Sequence, residues 1–154
     1  MRIYIGCDEN GVELKKTLML EMDSIKQEFI DYNVVYGNES DLYPDMAVGL
    51  CKHILEDNDS RGILICGTGI GTCISANKVY GIRAAVCHDV YSTERSMKSN
   101  DVQIMCMGAQ IIGSELAKKL LHIWIESEFV TGGRSVPKVE RINYYDELYR
   151  KSKE

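Results

Sequence analysis

Residues 62–72 read GILICGTGIGT, which is a short apolar run that ends in a thiol and is followed by three glycines at alternate positions. A run of Ile and Leu is typical of a strand that is buried on both faces. The glycines allow a tight turn and let backbone N–H groups approach a ligand closely. Residues 73–78, which follow, are predicted to be helical. This stretch therefore predicts a strand, a ligand-facing loop and a helix, which is the repeating unit of a parallel sheet.

The same alternation extends through the chain on both sides of this stretch. Four further β-like runs occur, at residues 2–7, 28–32 with a possible extension to 36, 83–87 and 104–107. Apolar residues recur at three- and four-residue steps between them and after the last of them, over residues 12–25, 46–54 and 114–126. Strands that alternate with helices predict an α/β fold around a parallel sheet of five strands.

The size and composition of the chain predict one domain. It has 154 residues, of which 45% are hydrophobic and 27% charged, and this lies near the norm for a single globular domain. There is no low-complexity linker. We therefore expect one domain over residues 1–154. Its charged, Tyr-rich tail over residues 137–154 is expected to pack on a partner subunit, and packing on its own domain is the alternative.

Charge and cysteine usage exclude several classes of function. A net charge of -5 is not that of a protein that tracks nucleic-acid phosphates, so no nucleic-acid partner is expected. No apolar run reaches the roughly 20 residues that a membrane span requires, so no membrane partner is expected either. The six cysteines contain no C-x-x-C pair and no secretory leader precedes the first strand, which predicts a reducing, cytoplasmic location.

Polar and reactive residues follow the predicted strands. Ligands of a doubly wound sheet bind outside the carboxyl ends of its strands, where Asp8, the loop after Cys66, His88 and Gly108 would meet. This loop lacks the Lys of a nucleotide phosphate loop and the spacing of a dinucleotide fingerprint. The sequence therefore indicates anion binding at this edge without a nucleotide.

Cys66 is the candidate for acid–base chemistry. A thiol beside several backbone N–H groups has a lowered pKa, and near neutrality it exchanges a proton. The alternative is a buried packing cysteine, which is the commoner role of a cysteine at a strand end. Packing is the role that we predict for the cysteines at positions 7, 73, 87 and 106. Cys51 and His53 lie close in sequence, but no further ligand joins them, so no metal site is predicted.

From Ile5 to the region of Arg134, the chain resembles the ribose-5-phosphate isomerase B and galactose-6-phosphate isomerase family. The matching motifs are, in chain order, Gly6-Cys7-Asp8, Tyr43-Pro44-Asp45, residues 62–71 as quoted above, Ala76-Asn77-Lys78, Gly81-Ile82-Arg83-Ala84, Cys87-His88-Asp89, Asn100-Asp101, Met107-Gly108-Ala109 and Gly132-Gly133-Arg134. The resemblance implies a Rossmann-like three-layer αβα fold. We expect its five parallel strands in the order 2-1-3-4-5, followed by a C-terminal helical tail.

The resemblance also implies the chemistry. The family works without a metal or organic cofactor, and its active sites lie between the subunits of a homodimer, often within a tetramer. Cys66 would be the base that moves a proton between C1 and C2 of an open-chain sugar phosphate, with Thr68 supporting it. The enediolate would be held by the backbone N–H groups of Gly67, Gly69, Ile70 and Gly71.

Further residues match positions that contact the substrate in the family. By the same resemblance, Asp8 and Tyr43 would contact the sugar and Asn100 would line the site of the intermediate. Arg134 and Lys138 fall where the family has phosphate-binding arginines. Ordinary structural roles for this group, as helix cap, packing residue or solvated surface, remain open.

The chain departs from the family at five positions. Glu9, Ser99 and Ser135 stand where the ribose enzymes have His, and Gln110 and Pro137 replace Arg. Glu9 is expected beside the substrate, where it brings a negative charge toward the phosphate. Ser99 takes the position of the ring-opening His among the catalytic residues, although it has no group that titrates near neutral pH.

The expected function is thus an aldose–ketose isomerase of a small sugar phosphate in carbohydrate metabolism. The first expectation is interconversion of ribose 5-phosphate and ribulose 5-phosphate, a reaction of the pentose phosphate pathway. The alternatives are an isomerase of galactose 6-phosphate or of a tetrose phosphate, which has no furanose ring to open, and a non-catalytic partner subunit that binds a sugar phosphate.

Overall fold

The computed structural model describes residues 1–37 and 42–151. It is a five-stranded, all-parallel sheet with helices on both faces, so the predicted three-layer α/β fold is confirmed. None of the helices within the described ranges is long and apolar enough to cross a membrane. The predicted tail forms a helix to residue 151, and its last three residues lie outside the described part.

Strands and helices alternate along the chain. The strands are β1 (Arg2–Cys7), β2 (Phe29–Asp31), β3 (Ser60–Cys66), β4 (Ala84–Val86) and β5 (Ile104–Gly108). The helices are α1 (Val12–Ser24), α2 (Tyr32–Tyr36), α3 (Tyr43–Glu56), α4 (Ile70–Ala76), α5 (Val90–Asn100), α6 (Ser114–Glu126) and α7 (Val136–Lys151), and a 3₁₀ turn over Glu9–Gly11 precedes α1.

The order of the strands is 2-1-3-5-4, so the expected order 2-1-3-4-5 is wrong for the last two. Burial explains the exchange. All five residues of β5 are buried, whereas the three residues of β4 are only partly buried, and the more apolar strand takes the inner place beside β3. After β4, which lies at the edge of the sheet, the chain therefore returns toward the centre to form β5, which is parallel to the other strands. Because crossovers are right-handed, α5 lies on the face of α6, opposite α3 and α4.

Two apolar clusters fill the spaces between the layers. Side chains alternate along β1, so that Ile3 and Ile5 face one cluster and Tyr4 faces the other. The first cluster packs β1, β3 and β5 against α1 and α6, with Trp124 and Leu18 fully buried. The second packs the opposite face against α3 and α4. The sheet is thus rigid below the loops that follow its strands.

The possible extension of β2 to residue 36 is wrong. Residues 32–36 form α2, because the carboxylate of Asp31 accepts a hydrogen bond from the backbone N–H of Val34 and caps a helix there. The Asp31 carboxylate also pairs with Lys15 at 2.7 Å, and both side chains are largely buried. The strand therefore ends where the cap begins.

The edge of the sheet that β4 forms is covered by two side chains, one in α4 and one directly after it. The Asn77 amide accepts a hydrogen bond from Ala84 N and donates one to Ala84 O, both at 2.9 Å. The Cys73 sulfur also lies 3.5 Å from Ala84 O, and it accepts the backbone N–H of Val86. Three main-chain groups of β4 that face away from β5 are thereby paired, namely Ala84 N, Ala84 O and Val86 N.

Helix α7 packs on its own domain along one side. Asp146 accepts a hydrogen bond from Gly81 N at 2.8 Å, and Asn143 accepts one from Arg83. Its tyrosines at positions 144, 145 and 149 are exposed. Packing of this helix on a partner subunit stays a prediction.

Candidate active site

Cys66 ends β3 with its sulfur inside the turn that follows. The sulfur accepts the backbone N–H of Gly69 at 3.1 Å and lies 3.6 Å from the Thr72 hydroxyl oxygen. That hydroxyl also reaches Gly69 O at 3.2 Å. The hydroxyl proton can therefore point to Gly69 O when Cys66 is a thiol, and to the sulfur when Cys66 is a thiolate.

These donors decide the ionisation of the thiol. Burial raises the pKa of Cys66. The Thr72 hydroxyl and the N–H groups of Thr72, Thr68 and Gly69 together lower the pKa by more than burial raises it. The net pKa of Cys66 lies below the ordinary value of 9.0. Buried cysteines without such donors behave differently, since burial raises the pKa of Cys7 to about 11.

Cys73 is the second thiol with a lowered pKa. A hydrogen bond with Cys106 is the main cause, burial opposes it, and the pKa falls to about 7. The sulfur is half-buried and packs against β4 and β5, in accord with the packing role that the sequence predicts, but it lies at the sheet edge, away from the glycine loop. A low pKa alone therefore does not select Cys66; its place in the loop does.

The glycines of the loop are required by close contacts. Gly69 has a φ of +76°, and a Cβ on it would lie 2.8 Å from the carbonyl carbon of Met107. A Cβ on Gly71 would lie 2.5 Å from the ring of Tyr43. The Tyr43 ring therefore lies directly against the loop, and its contact with a substrate stays a prediction.

The loop after β1 forms the next part of the same edge. Asp8 caps the 3₁₀ turn by accepting hydrogen bonds from the backbone N–H groups of Asn10 and Gly11, so the structural role that the sequence left open is present. Glu9 is exposed. The Gln110 amide donates to Asn10 Oδ1 at 3.3 Å, and it lies as close as 3.3 Å to the Cβ position of Gly67. Acidic and neutral amide groups thus border the glycine loop here.

Asn33 holds the end of β1 in place. Its amide accepts a hydrogen bond from Cys7 N at 2.9 Å and donates one to Cys7 O at 3.0 Å, as a neighbouring strand would. The Lys15 ammonium donates to Asn33 Oδ1 as well as to Asp31. A buried charge pair therefore fixes the strand from which Asp8 projects.

Ser99 and Asn100 do not join this group within one chain. Helix α5 runs back across the sheet, and Asn100 O accepts a hydrogen bond from Arg83, just before β4 begins. The Gly62 N–H bonds Gln103 O, so the start of β3 lies near the end of α5. Cys66 is four residues further along β3, which places it on the order of 13 Å from that end of the sheet. Ser99 accepts hydrogen bonds from the Arg95 guanidinium, at 2.9 Å from Nε.

Arg134 and Lys138 also lie outside this group. Arg134 is exposed in the turn before α7, and Lys138 is exposed in its first turn. Helix α6 returns the chain to the start of β3, where Arg61 donates to Trp124 O at 2.7 Å. Arg134 and Lys138 follow this point in the chain.

Two loop contacts were not predicted from the sequence. The hydroxyl nearest the Cys66 sulfur belongs to Thr72, while Thr68, expected to support Cys66, accepts the Ile70 N–H and is exposed. His88, which the sequence places at this edge, accepts the N–H of Gly108 at 2.8 Å. The sequence signal for Thr72 is a hydroxyl side chain directly after the last glycine of the loop.

Comparison with known proteins identifies the family. The model of the ribose/galactose isomerase family matches residues 3–142. The chain belongs to this family. A ribose-5-P isomerase B of Listeria innocua is 49% identical over 97% of this chain and 100% of its own length. A D-erythrulose-4-phosphate isomerase of Pectobacterium atrosepticum is 47% identical over 95% of both chains.

Solved structures of the family share the fold. The ribose-5-phosphate isomerase B of Clostridium thermocellum has 38% identity and a TM-score of 0.86, with 97% of this chain and 99% of that chain covered. That of Mycoplasma genitalium, with bound ribulose 5-phosphate, has 27% identity, a TM-score of 0.85 and coverage of 95% and 96%. The predicted family and enzyme class, an aldose–ketose isomerase, are confirmed.

Proposed function

We propose that the chain interconverts the aldose and ketose forms of a short sugar phosphate, with the Cys66 thiolate as the base. The observation that carries this proposal is the Cys66 sulfur, which accepts the Gly69 N–H at 3.1 Å inside a loop of main-chain donors. Those donors favour the thiolate over the thiol, and they provide N–H groups beside it for a second negative charge.

The proton moves by way of an enediolate. The thiolate removes the proton from C2 of the open-chain aldose, or from C1 of the ketose, and becomes a thiol. The electron pair of that C–H bond forms the C1–C2 double bond, and the carbonyl oxygen becomes an oxyanion held by the N–H groups of Gly67, Gly69, Ile70 and Gly71. The Cys66 S–H then returns the proton to the other carbon and becomes a thiolate again. The hydroxyl on the neighbouring carbon passes its proton to the oxyanion, so that its own oxygen becomes the new carbonyl. Because the negative oxygen exists only in the intermediate and its transition states, the loop lowers the barrier selectively.

The site is completed by a second copy of the chain. Ser99 and Asn100 lie at the opposite end of the sheet from Cys66 in the same chain, and the phosphate needs cations that the acidic and amide groups at positions 8, 9, 10 and 110 do not supply. In a two-fold dimer, each copy can present Asn100, Arg134 and Lys138 to the loop of the other.

A four-carbon sugar phosphate fits this site best. Ser99 holds the position of the ring-opening His, and its oxygen is engaged by Arg95, so it cannot take up a proton readily near neutral pH. A tetrose 4-phosphate cannot close a furanose ring because its fourth oxygen carries the phosphate. The relatedness to a D-erythrulose-4-phosphate isomerase supports this substrate. Ribose 5-phosphate is the second candidate, favoured by the 49% identity to a ribose-5-P isomerase B.

The test compares Cys66→Ala with Cys73→Ala, since both replace a thiol of lowered pKa and only one lies in the loop. Erythrulose 4-phosphate, ribose 5-phosphate and galactose 6-phosphate are incubated with each protein in deuterated water. We expect turnover with deuterium uptake at C1 or C2, fastest on the tetrose phosphate, abolished in Cys66→Ala and retained in Cys73→Ala. Thermal protection by these ligands without turnover would instead show a binding subunit.

Mixing two inactive variants tests the shared site. Cys66→Ala and Asn100→Ala are refolded together, so that mixed dimers carry one site with both residues intact. Random pairing makes half of the dimers mixed, so about a quarter of the wild-type activity returns. Activity no greater than that of the separate variants would place the whole site in one chain.

A further inference from the structure

His88 lies behind the glycine loop, at the point where β4 ends. Its Nε2 accepts the N–H of Gly108 at 2.8 Å. His88 and Gly108 each lie two residues beyond the Val86–Cys106 pair of the parallel ladder. The imidazole therefore continues the pairing of β5 after the main chain of β4 has turned away into α5.

Gly108 is in turn packed on the loop that holds Cys66. It pairs with Cys66 across the β3–β5 ladder, and a Cβ on it would lie 2.6 Å from the carbonyl carbon of Thr68. The Cβ position of Gly69 lies 3.1 Å from Gly108 N. With so little space, a shift of Gly108 moves the N–H group that Gly69 donates to the sulfur.

We infer that His88 is a positioning residue for the proposed isomerase reaction, which fixes Gly108 through an acceptor nitrogen and thereby fixes the Gly69 N–H on the Cys66 sulfur. The inference rests on the proposed function of the loop. It assigns a role to the Cys87-His88-Asp89 segment, which the reaction itself does not use.

The bond requires one protonation state of the imidazole. Nε2 can accept the Gly108 N–H only while it carries no proton, so the ring is neutral with its proton on Nδ1. The titratable groups around it are Asp89 at the start of α5, the Cys87 thiol directly before it in the chain and the Cys66 thiol across Gly108. Burial lowers the pKa of His88, and the Asp89 carboxylate, which accepts the Ser92 N–H, raises it by less.

The sign of the pH effect follows. Because the folded protein holds the pKa of His88 below its ordinary value of 6.5, the bond is complete above that pH and is lost as the pH falls through the folded pKa. Turnover then declines for two reasons on the acid side. Cys66 takes up a proton, and His88 also takes up a proton and releases Gly108.

The experiment compares two variants of similar size, His88→Gln, whose amide oxygen can accept the Gly108 N–H, and His88→Leu, which has no acceptor. We expect kcat to fall by about tenfold to a hundredfold in the Leu variant, since displacement of a catalytic group by about 1 Å can cost a hundredfold. The Gln variant should keep most of kcat, and KM should change little in either. Equal kcat values in the two variants would overturn the inference.

The pH profile of kcat gives a second readout, which a purely structural role would not change. Between about pH 5 and 8 the wild type should fall with one proton and then more steeply, whereas the Gln variant should keep the one-proton slope. The substrate phosphate titrates at about pH 6 and changes the pH profiles of both proteins equally. His122→Gln, which removes a histidine between α1 and α6, should keep the wild-type profile. The same steepening in His88→Gln would contradict the inference.

Alkylation of Cys66 by iodoacetamide, followed on its peptide by mass spectrometry, needs no substrate. The rate at neutral pH should fall several-fold in His88→Leu and stay near the wild-type rate in His88→Gln. If the wild type isomerises no sugar phosphate while alkylation still follows the acceptor, the proposed function fails and the positioning role stands. Equal alkylation rates in folded Leu and Gln variants would refute that role.

Discussion

Gly69→Ala tests the geometry of the loop most directly. Gly69 adopts a φ of +76°, and a Cβ there would lie 2.8 Å from the backbone carbonyl carbon of Met107, which cannot turn aside as a side chain can. The left-handed backbone costs about 1–2 kcal/mol for a residue with a Cβ. Overpacking against a fixed neighbour costs about 1–3 kcal/mol more.

Gly132→Ala is the matched control for the backbone term. Gly132 has the same φ of +76°, and nothing lies within 4 Å of its Cβ position. The free energy of unfolding, measured in denaturant at an unchanged slope, should fall by about 1–2 kcal/mol in this control. In Gly69→Ala it should fall by about 2–5 kcal/mol.

The same variant tests catalysis. To relieve the contact, Gly69 must move, and its N–H then leaves the Cys66 sulfur, so kcat should fall by about a hundredfold or more in the protein that remains folded. Equal losses of stability in the two variants, together with an unchanged kcat for Gly69→Ala, would refute the packing of the loop against β5 and its part in catalysis.

Two further predictions concern hydrogen bonds and charge. Thr72→Val removes a donor that lowers the pKa of the Cys66 thiol, so turnover at neutral pH should fall by about tenfold and recover at alkaline pH. Thr68→Val should have less effect, and identical pH profiles of the two variants would contradict this assignment. Lys15→Met leaves the largely buried Asp31 carboxylate without its 2.7 Å partner and should lower the free energy of unfolding by about 3–5 kcal/mol. Lys16→Met removes an exposed pair and should change it by less than about 1 kcal/mol. Comparable losses in thermal or urea unfolding would argue against the buried pair.

The strand and the loop around Cys66 could be predicted because their signals are local. An apolar run predicts β3, and the glycines after it predict a turn with accessible N–H groups. The order of β4 and β5 could not be predicted in the same way. It depends on how completely each strand is buried by the rest of the domain, and both are short apolar runs in the sequence.

The side-chain contacts of the site show the same division. The predicted helix began at residue 73, but α4 begins at Ile70, and this earlier start turns Thr72 toward the Cys66 sulfur. The position of the Thr72 hydroxyl depends on where the helix begins, and the glycines of the loop do not reveal that residue. Asn100 matches the family motif, yet a motif gives no indication of whether a residue serves the site of its own chain or that of another.

The covered edge of the sheet limits how copies of this chain can associate. Because Asn77 and Cys73 already pair the outward main-chain groups of β4, no strand of a second copy can add there without first displacing those side chains. A continuous ten-stranded sheet joined through β4 is therefore disfavoured. Contacts between copies on the β4 side must therefore be made by helices and loops, which leaves the carboxyl edge of the sheet there free to receive residues from a neighbour.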